Sequence, residues 1–93
     1  MFEPLDPLLH QQIRLSIVSL LMGVKSAEFS FLLEHIDTTK GNISFQLTKL
    51  NEAGYVTIKK SMKGNYPLTS CSITDKGREA FQTYIEALQS YLK

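Results

Sequence analysis

Leu9, Ile13, Ile17 and Leu20 recur three or four residues apart, with Leu21 alongside. That is the period of one face of an α-helix. Asp6 suits a helix N-cap, and Pro7 suits the first helical position, where its missing N–H has no partner to lose. Gly23 closes the run after Met22. Leu8, Leu15 and Val18 widen the stripe around most of the circumference, as in a helix covered on several sides. A short second helix is expected within residues 26–37, with Ser30 as its cap, Leu32, Leu33 and Ile36 facing inward, and Phe29 in a short strand before it. Ile43, Leu47 and Leu50 form the inner face of a third helix, capped by Thr38 or Thr39 and stopped by Gly54. Residues 55–59 (Tyr-Val-Thr-Ile-Lys) alternate and are β-branched, a strand pattern. Lys63-Gly64-Asn65 is a turn, Pro67 limits ladder pairing nearby, and residues 69–73 form the returning strand. Thr74-Asp75 caps a last helix with Ala80, Phe81, Tyr84, Ile85, Leu88 and Leu92 as its apolar positions.

The order is three helices, a hairpin and a final helix, in one domain spanning residues 1–93. Two short helices joined by a tight turn read as a helix-turn-helix, and the hairpin after them reads as a wing. The expected class is mainly α with a small β-hairpin, the first and last helices being extended for dimerisation.

The third helix carries the most informative surface. At about 100° per residue, Ile43, Gln46, Leu47 and Leu50 cluster on one side. The opposite side holds Gly41, Ser44, Phe45, Thr48 and Glu52, flanked by Asn42 and Lys49. Little bulk, hydroxyl and amide groups and a positive dipole end suit entry into a DNA major groove. They also suit an ordinary solvated face. Phe45 has two readings: contact with thymine methyl groups, or packing in a protein interface. Gln46 lies toward the core and is expected to hydrogen-bond within the protein.

Composition adds limits. The chain has 93 residues, 43% hydrophobic and 20% charged, with a mean hydropathy of −0.08. This is a globular profile. A core of this size is marginal alone, so association is expected to help. No basic leader precedes an apolar run, and Ile17 to Met22 is far short of the ~18 residues of a membrane span. One cysteine, Cys71, excludes an intrachain disulfide and any two-thiolate site, and fits a cytoplasmic setting. The net charge of +1 looks too small for a nucleic-acid binder, but its distribution changes that view. Residues 1–37 hold two basic and five acidic side chains, for −3. Residues 38–73 hold Lys40, Lys49, Lys59, Lys60 and Lys63 against Glu52 alone, for +4. Residues 74–93 balance at three each. Positive charge falls on the third helix and hairpin, where each lysine can pair with a phosphate or simply guard the strand edges.

Residues 39–56, Thr-Lys-Gly-Asn-Ile-Ser-Phe-Gln-Leu-Thr-Lys-Leu-Asn-Glu-Ala-Gly-Tyr-Val, closely resemble the recognition helix and first wing strand of small winged-helix transcriptional regulators related to the MarR and ArsR groups. Ile73-Thr74-Asp75-Lys76-Gly77-Arg78 resembles the opening of their last helix. Residues 5–10 and 14–17 resemble their first. The resemblance implies a DNA-binding regulator that is usually a homodimer, with each third helix in a major groove; a pseudo-palindromic operator is therefore expected. The resemblance assigns groove and phosphate contacts to Thr39, Lys40, Asn42, Ser44, Phe45 and Lys49, and the wing tip to Lys63, Gly64, Asn65 and Tyr66. Thr38, Thr48, Lys59 and Lys60 join them from the helix wheel and the charge pattern. The dimer face is expected from Leu5, Leu8, Leu9 and Ile13 with Phe81, Tyr84, Ile85, Leu88, Tyr91 and Leu92. The chain departs from the family at Phe45, where a basic or hydrogen-bonding residue is common, and at Leu68, where arginine or lysine often follows the wing proline.

His10 and His35 are isolated, so no metal site is expected. Cys71 is expected to be a small buried hydrophobe, a redox thiol being the minor reading. No Gly-rich phosphate loop or catalytic constellation is present, so neither an enzyme nor a cofactor is expected. The competing reading is a winged-helix protein-interaction module without direct DNA binding, with Phe45 and Leu68 as its contact surface. A regulator with a second protein partner is a further option.

Overall fold

A computed structural model of the chain describes residues 1–92. The elements are α1 (Gln12–Met22), β1 (Ala27–Glu28), α2 (Phe29–His35), α3 (Lys40–Glu52), β2 (Val56–Lys63), β3 (Tyr66–Ile73) and α4 (Asp75–Gln89). The three strands form an antiparallel sheet in the order β1-β3-β2. The mainly α architecture with a hairpin wing is as the sequence predicts.

Helix starts differ from expectation where a cap residue finds a partner elsewhere. Asp6 does not begin α1. Its Oδ1 accepts from Leu8 N (2.9 Å) and its carbonyl from His10 N (2.9 Å), closing a separate turn. Its Oδ2 accepts from the Tyr55 hydroxyl at 2.5 Å. Gln11 caps α1 instead, through Oε1 to Arg14 N at 2.7 Å. Ser30 is not a cap, and Phe29 is not in the strand. Glu28 ends β1 by pairing with Ser70, and Phe29 begins α2 directly, with no side-chain cap. α4 also stops at Gln89, short of the expected continuation to Leu92.

The end of α3 follows its sequence. Gly54, at φ +82°, sits in the left-handed region that glycine enters without a Cβ penalty. Tyr55 N donates to Leu50 O (2.9 Å) and Gly54 N to Asn51 O (3.0 Å), the paired bonds of a Schellman cap. Asn51 Nδ2 then donates to Val56 O (3.0 Å), so the exit of α3 sets the start of the wing.

The wing is longer than predicted. β2 and β3 pair over eight residues each, from Val56↔Ile73 to Lys63↔Tyr66. Gly64 at φ +63° provides the one positive angle of a two-residue type II′ turn. Such a turn makes Lys63 and Tyr66 a hydrogen-bonded pair, so alternation puts Met62↔Pro67 at a non-bonded one. Pro67 therefore sits inside β3 without costing a ladder bond on the β2 side, and β1 pairs only farther along, at Ser70 and Cys71.

The core joins α1, α2 and α3 to the base of the sheet. Leu9, Ile17, Val18, Leu21, Leu32, Ile43, Leu50 and Val56 are fully enclosed. Leu9 and Tyr84, expected at a dimer face, are buried within the protomer (0% and 3% exposed) and present no surface to a partner. The Tyr84 hydroxyl lies 2.9 Å from His10 Nδ1. Leu5, Leu8, Ile13, Phe81, Ile85 and Leu88 are half-buried against the core, while Tyr91 and Leu92 are exposed. No described helix is long and apolar enough to cross a membrane.

Candidate nucleic-acid interface

α3 begins with two threonines in different tasks. Thr39 is the N-cap, its Oγ1 accepting from Asn42 N at 3.1 Å. Thr38 Oγ1 accepts from Asn42 Nδ2 at 2.9 Å. Asn42 Oδ1 accepts from Gln46 Nε2 at 3.0 Å, and Gln46 Oε1 accepts from Arg14 Nη1 at 2.6 Å. Arg14 Nε also donates to Leu8 O at 2.6 Å. A guanidinium has donors only. Gln46 must therefore turn its oxygen to Arg14, which turns its NH2 to Asn42, whose NH2 in turn faces Thr38. The relay ties α1 to the start of α3 and fixes the orientation of both amides. Gln46 is buried, as its wheel position indicates. Thr38, Thr39 and Asn42, expected to meet DNA, are occupied with building the helix start.

Arg14 was not among the expected site residues. Its signal was present: it is the one charged side chain in the otherwise apolar and neutral α1.

The outward residues of α3 are Lys40, Gly41, Ser44, Phe45, Thr48 and Lys49, with Asn51 and Glu52 at its C-terminal end, all exposed. Thr48 Oγ1 donates to Ser44 O at 3.0 Å. Lys49 Nζ lies 5.0 Å from the Phe45 ring centroid, a cation–π distance. Between this face and the hairpin runs an open groove of about 740 Å³. Lys40, Ser44 and Thr48 line it on one side, Lys60, Pro67 and Thr69 on the other, and Phe29 and Ser30 of α2 at its end with Glu28, its one acidic residue. Ile58 contributes apolar floor. Lysines thus stand on both walls.

Strand alternation divides the wing lysines. Lys60 shares a face with Ile58 and Met62, toward the groove, whereas Lys59 and Lys63 project from the opposite face. All three are exposed, as are Gly64, Asn65 and Tyr66 at the tip. The structure brings Lys40, Ser44, Thr48 and Lys60 together, with Phe45 and Lys49 beside them. Lys59 and Lys63 stand on the wing's other face.

A family model described as a winged helix DNA-binding domain matches residues 13–92. The chain belongs to this family. Its winged helix is 44% identical over 78 residues to an uncharacterised protein of Methanocaldococcus jannaschii, covering 83% of this chain and 85% of that one. A solved transcriptional regulator homologue from Pyrococcus horikoshii superposes with a TM-score of 0.84 at 28% identity, covering 91% and 84% of the two chains. Bacillus subtilis PadR, solved in complex with operator DNA, shares the winged-helix fold at a TM-score of 0.72 and 15% identity. There the match covers 81% of this chain and 48% of PadR. A MarR-family regulator from Enterococcus faecalis has the same fold, at a TM-score of 0.76 and 15% identity over 90% of this chain and 74% of its own.

Within this winged helix, Cys71 is buried and its Sγ lies 3.7 Å from Ala27 O. Burial pushes its thiol up to about 11, so at neutral pH it is the protonated form and a poor nucleophile. Among the described residues, no cluster of three or more His, Cys, Asp or Glu side chains is arranged to hold a metal ion.

Proposed function

We propose that the chain is a DNA-binding regulator of transcription that acts as a homodimer on a pseudo-palindromic duplex. Each α3 enters a major groove, and each β2–β3 wing follows the adjacent backbone. The observation that carries this reading is the lysine-walled groove between α3 and the wing. A phosphate backbone is a ridge of negative charge, and a groove with Lys40 on one wall and Lys60 on the other fits it. The α3 N-terminus adds its positive dipole end, with no acidic residue in its first turn to oppose it. The likeness to the Pyrococcus horikoshii regulator homologue over most of both chains supports the same reading.

The dimer face proposed here is narrower than the sequence alone suggests. Leu5, Leu8, Ile13, Phe81, Ile85 and Leu88 leave part of their surface open beside exposed Tyr91 and Leu92. Phe2 stacks on Tyr91 at 4.7 Å, and the Tyr91 hydroxyl donates to Glu3 O at 2.9 Å. The N-terminal segment is thereby held along the end of α4, forming one apolar surface suited to an isologous contact. Half-sites would then lie about one helical turn apart.

Duplex affinity measured across a salt series tests the reading. Tight binding at low salt with a steep linear loss of log affinity against log salt is expected. No binding at low salt, or a flat response, refutes it.

A further inference from the structure

We infer that Phe45 is the sequence-reading residue of α3, and that it recognises the C5-methyl group that thymine presents in the major groove. The inference rests on the regulator reading above and deepens it. Asparagine and glutamine are the side chains suited to adenine, because one amide edge offers a donor and an acceptor together. Here both are withdrawn. Gln46 is buried and held by Arg14, and the Asn42 amide is spanned between Gln46 and Thr38. The outer face has no arginine, the usual reader of guanine. Lysine can read guanine too, but Lys49 lies against the Phe45 ring, and Lys40 stands on the groove wall assigned above to the phosphate backbone. The Thr48 hydroxyl donates to its own helix, and a serine hydroxyl accepts either kind of partner.

Phe45 remains, 56% exposed in the middle of this face. On the same face of α3, the position one turn before Phe45 carries no side chain to cover it. That position is Gly41, where even a Cβ would meet nothing within 4 Å. No side chain one turn earlier shields the ring, and Lys49 lies over it from the following turn. The thymine methyl is the apolar group that unmodified base pairs display in the major groove. An exposed aromatic ring on the outer face of the helix is complementary to it.

The test begins with a duplex enriched from a random library and resynthesised with deoxyuridine in place of one thymine at a time. Deoxyuridine removes the methyl and keeps every hydrogen-bonding group. Wild-type affinity is expected to fall about fourfold for each contacted methyl, the equivalent of one buried carbon. Phe45→Ala, exposed and therefore foldable, should bind the thymine and uracil duplexes equally and keep the wild-type salt slope. Phe45→Leu should retain part of the discrimination. Salt-dependent binding that ignores deoxyuridine at every position overturns this inference alone. So does a Phe45→Ala variant that still discriminates. Absence of salt-dependent binding overturns it together with the regulator reading.

Discussion

Arg14 shows how much a single side chain can organise. It stands in an apolar helix with two neutral acceptors, Leu8 O and Gln46 Oε1, each at 2.6 Å. Hydrogen bonds from a charged donor are stronger than neutral ones, and an acceptor left unpaired in a partly buried place costs about 1–3 kcal/mol. Arg14→Met should therefore lower stability by about that amount, seen as a melting midpoint several degrees lower. Arg14→Lys should not restore it, because one ammonium cannot replace the two-pronged fork. A double-mutant cycle between Arg14→Met and Asn42→Ala is expected to be non-additive by about 0.5 kcal/mol or more, as befits residues of one relay. Strict additivity would show that the relay transmits nothing. The sequence made part of this legible: the inward position of Gln46 follows from its place on the wheel. It gave no warning that Asn42 would be consumed by its neighbours, because that depends on a guanidinium 28 positions earlier in the chain and on which way an amide is turned.

At the scale of elements, the boundaries that were legible are those set by local chemistry. Gly54 ends α3 and Thr74 caps α4, accepting from Gly77 N at 3.0 Å, as their positions predict. The boundaries that were misread involve partners far away in sequence: Tyr55 holds Asp6 in a separate turn, and β1 pairing with β3 sets the start of α2. The full length of the wing was hidden because Pro67 reads as a strand breaker until the register shows its unbonded side. Gly77 is a local residue with a distant reason. A Cβ there would lie 2.2 Å from the Tyr55 carbonyl oxygen and 2.8 Å from Ile73 Cγ1. That carbonyl is fixed by accepting from Thr74 N at 3.0 Å, and Thr74 Oγ1 donates to Gly54 O at 2.6 Å. Gly77→Ala gains up to about 1 kcal/mol of helix propensity. It must also push α4 off a backbone atom, an overpacking cost of roughly 1–3 kcal/mol or more. A net fall in the denaturant midpoint is expected, whereas a midpoint at or above wild type would show that α4 moves freely.

At the scale of the whole molecule, charge and shape act together. The protomer measures 54 × 25 × 21 Å, and residues 59–67 of the hairpin are exposed along their length. The net charge is only +1, so long-range attraction to DNA is weak and binding depends on where lysines meet phosphates. That makes the salt slope a count of contacts, at about 0.9 per phosphate neutralised on duplex DNA. A residue used once per protomer is used twice by a dimer on a symmetric site. Lys60→Ala should therefore reduce the slope by about 1.8 if two protomers are bound, and by about 0.9 if one is. Lys59→Ala and Lys63→Ala, on the face of the wing away from the groove, should each change it less than Lys60→Ala. The same measurement on a variant with the exposed Leu92 changed to Asp separates the two roles of the chain. Its Lys60-dependent step should fall toward the single-protomer value while the groove itself stays intact. If the full step persists in that variant, the two protomers meet through some other surface, and the apolar face at the chain ends is not what pairs them.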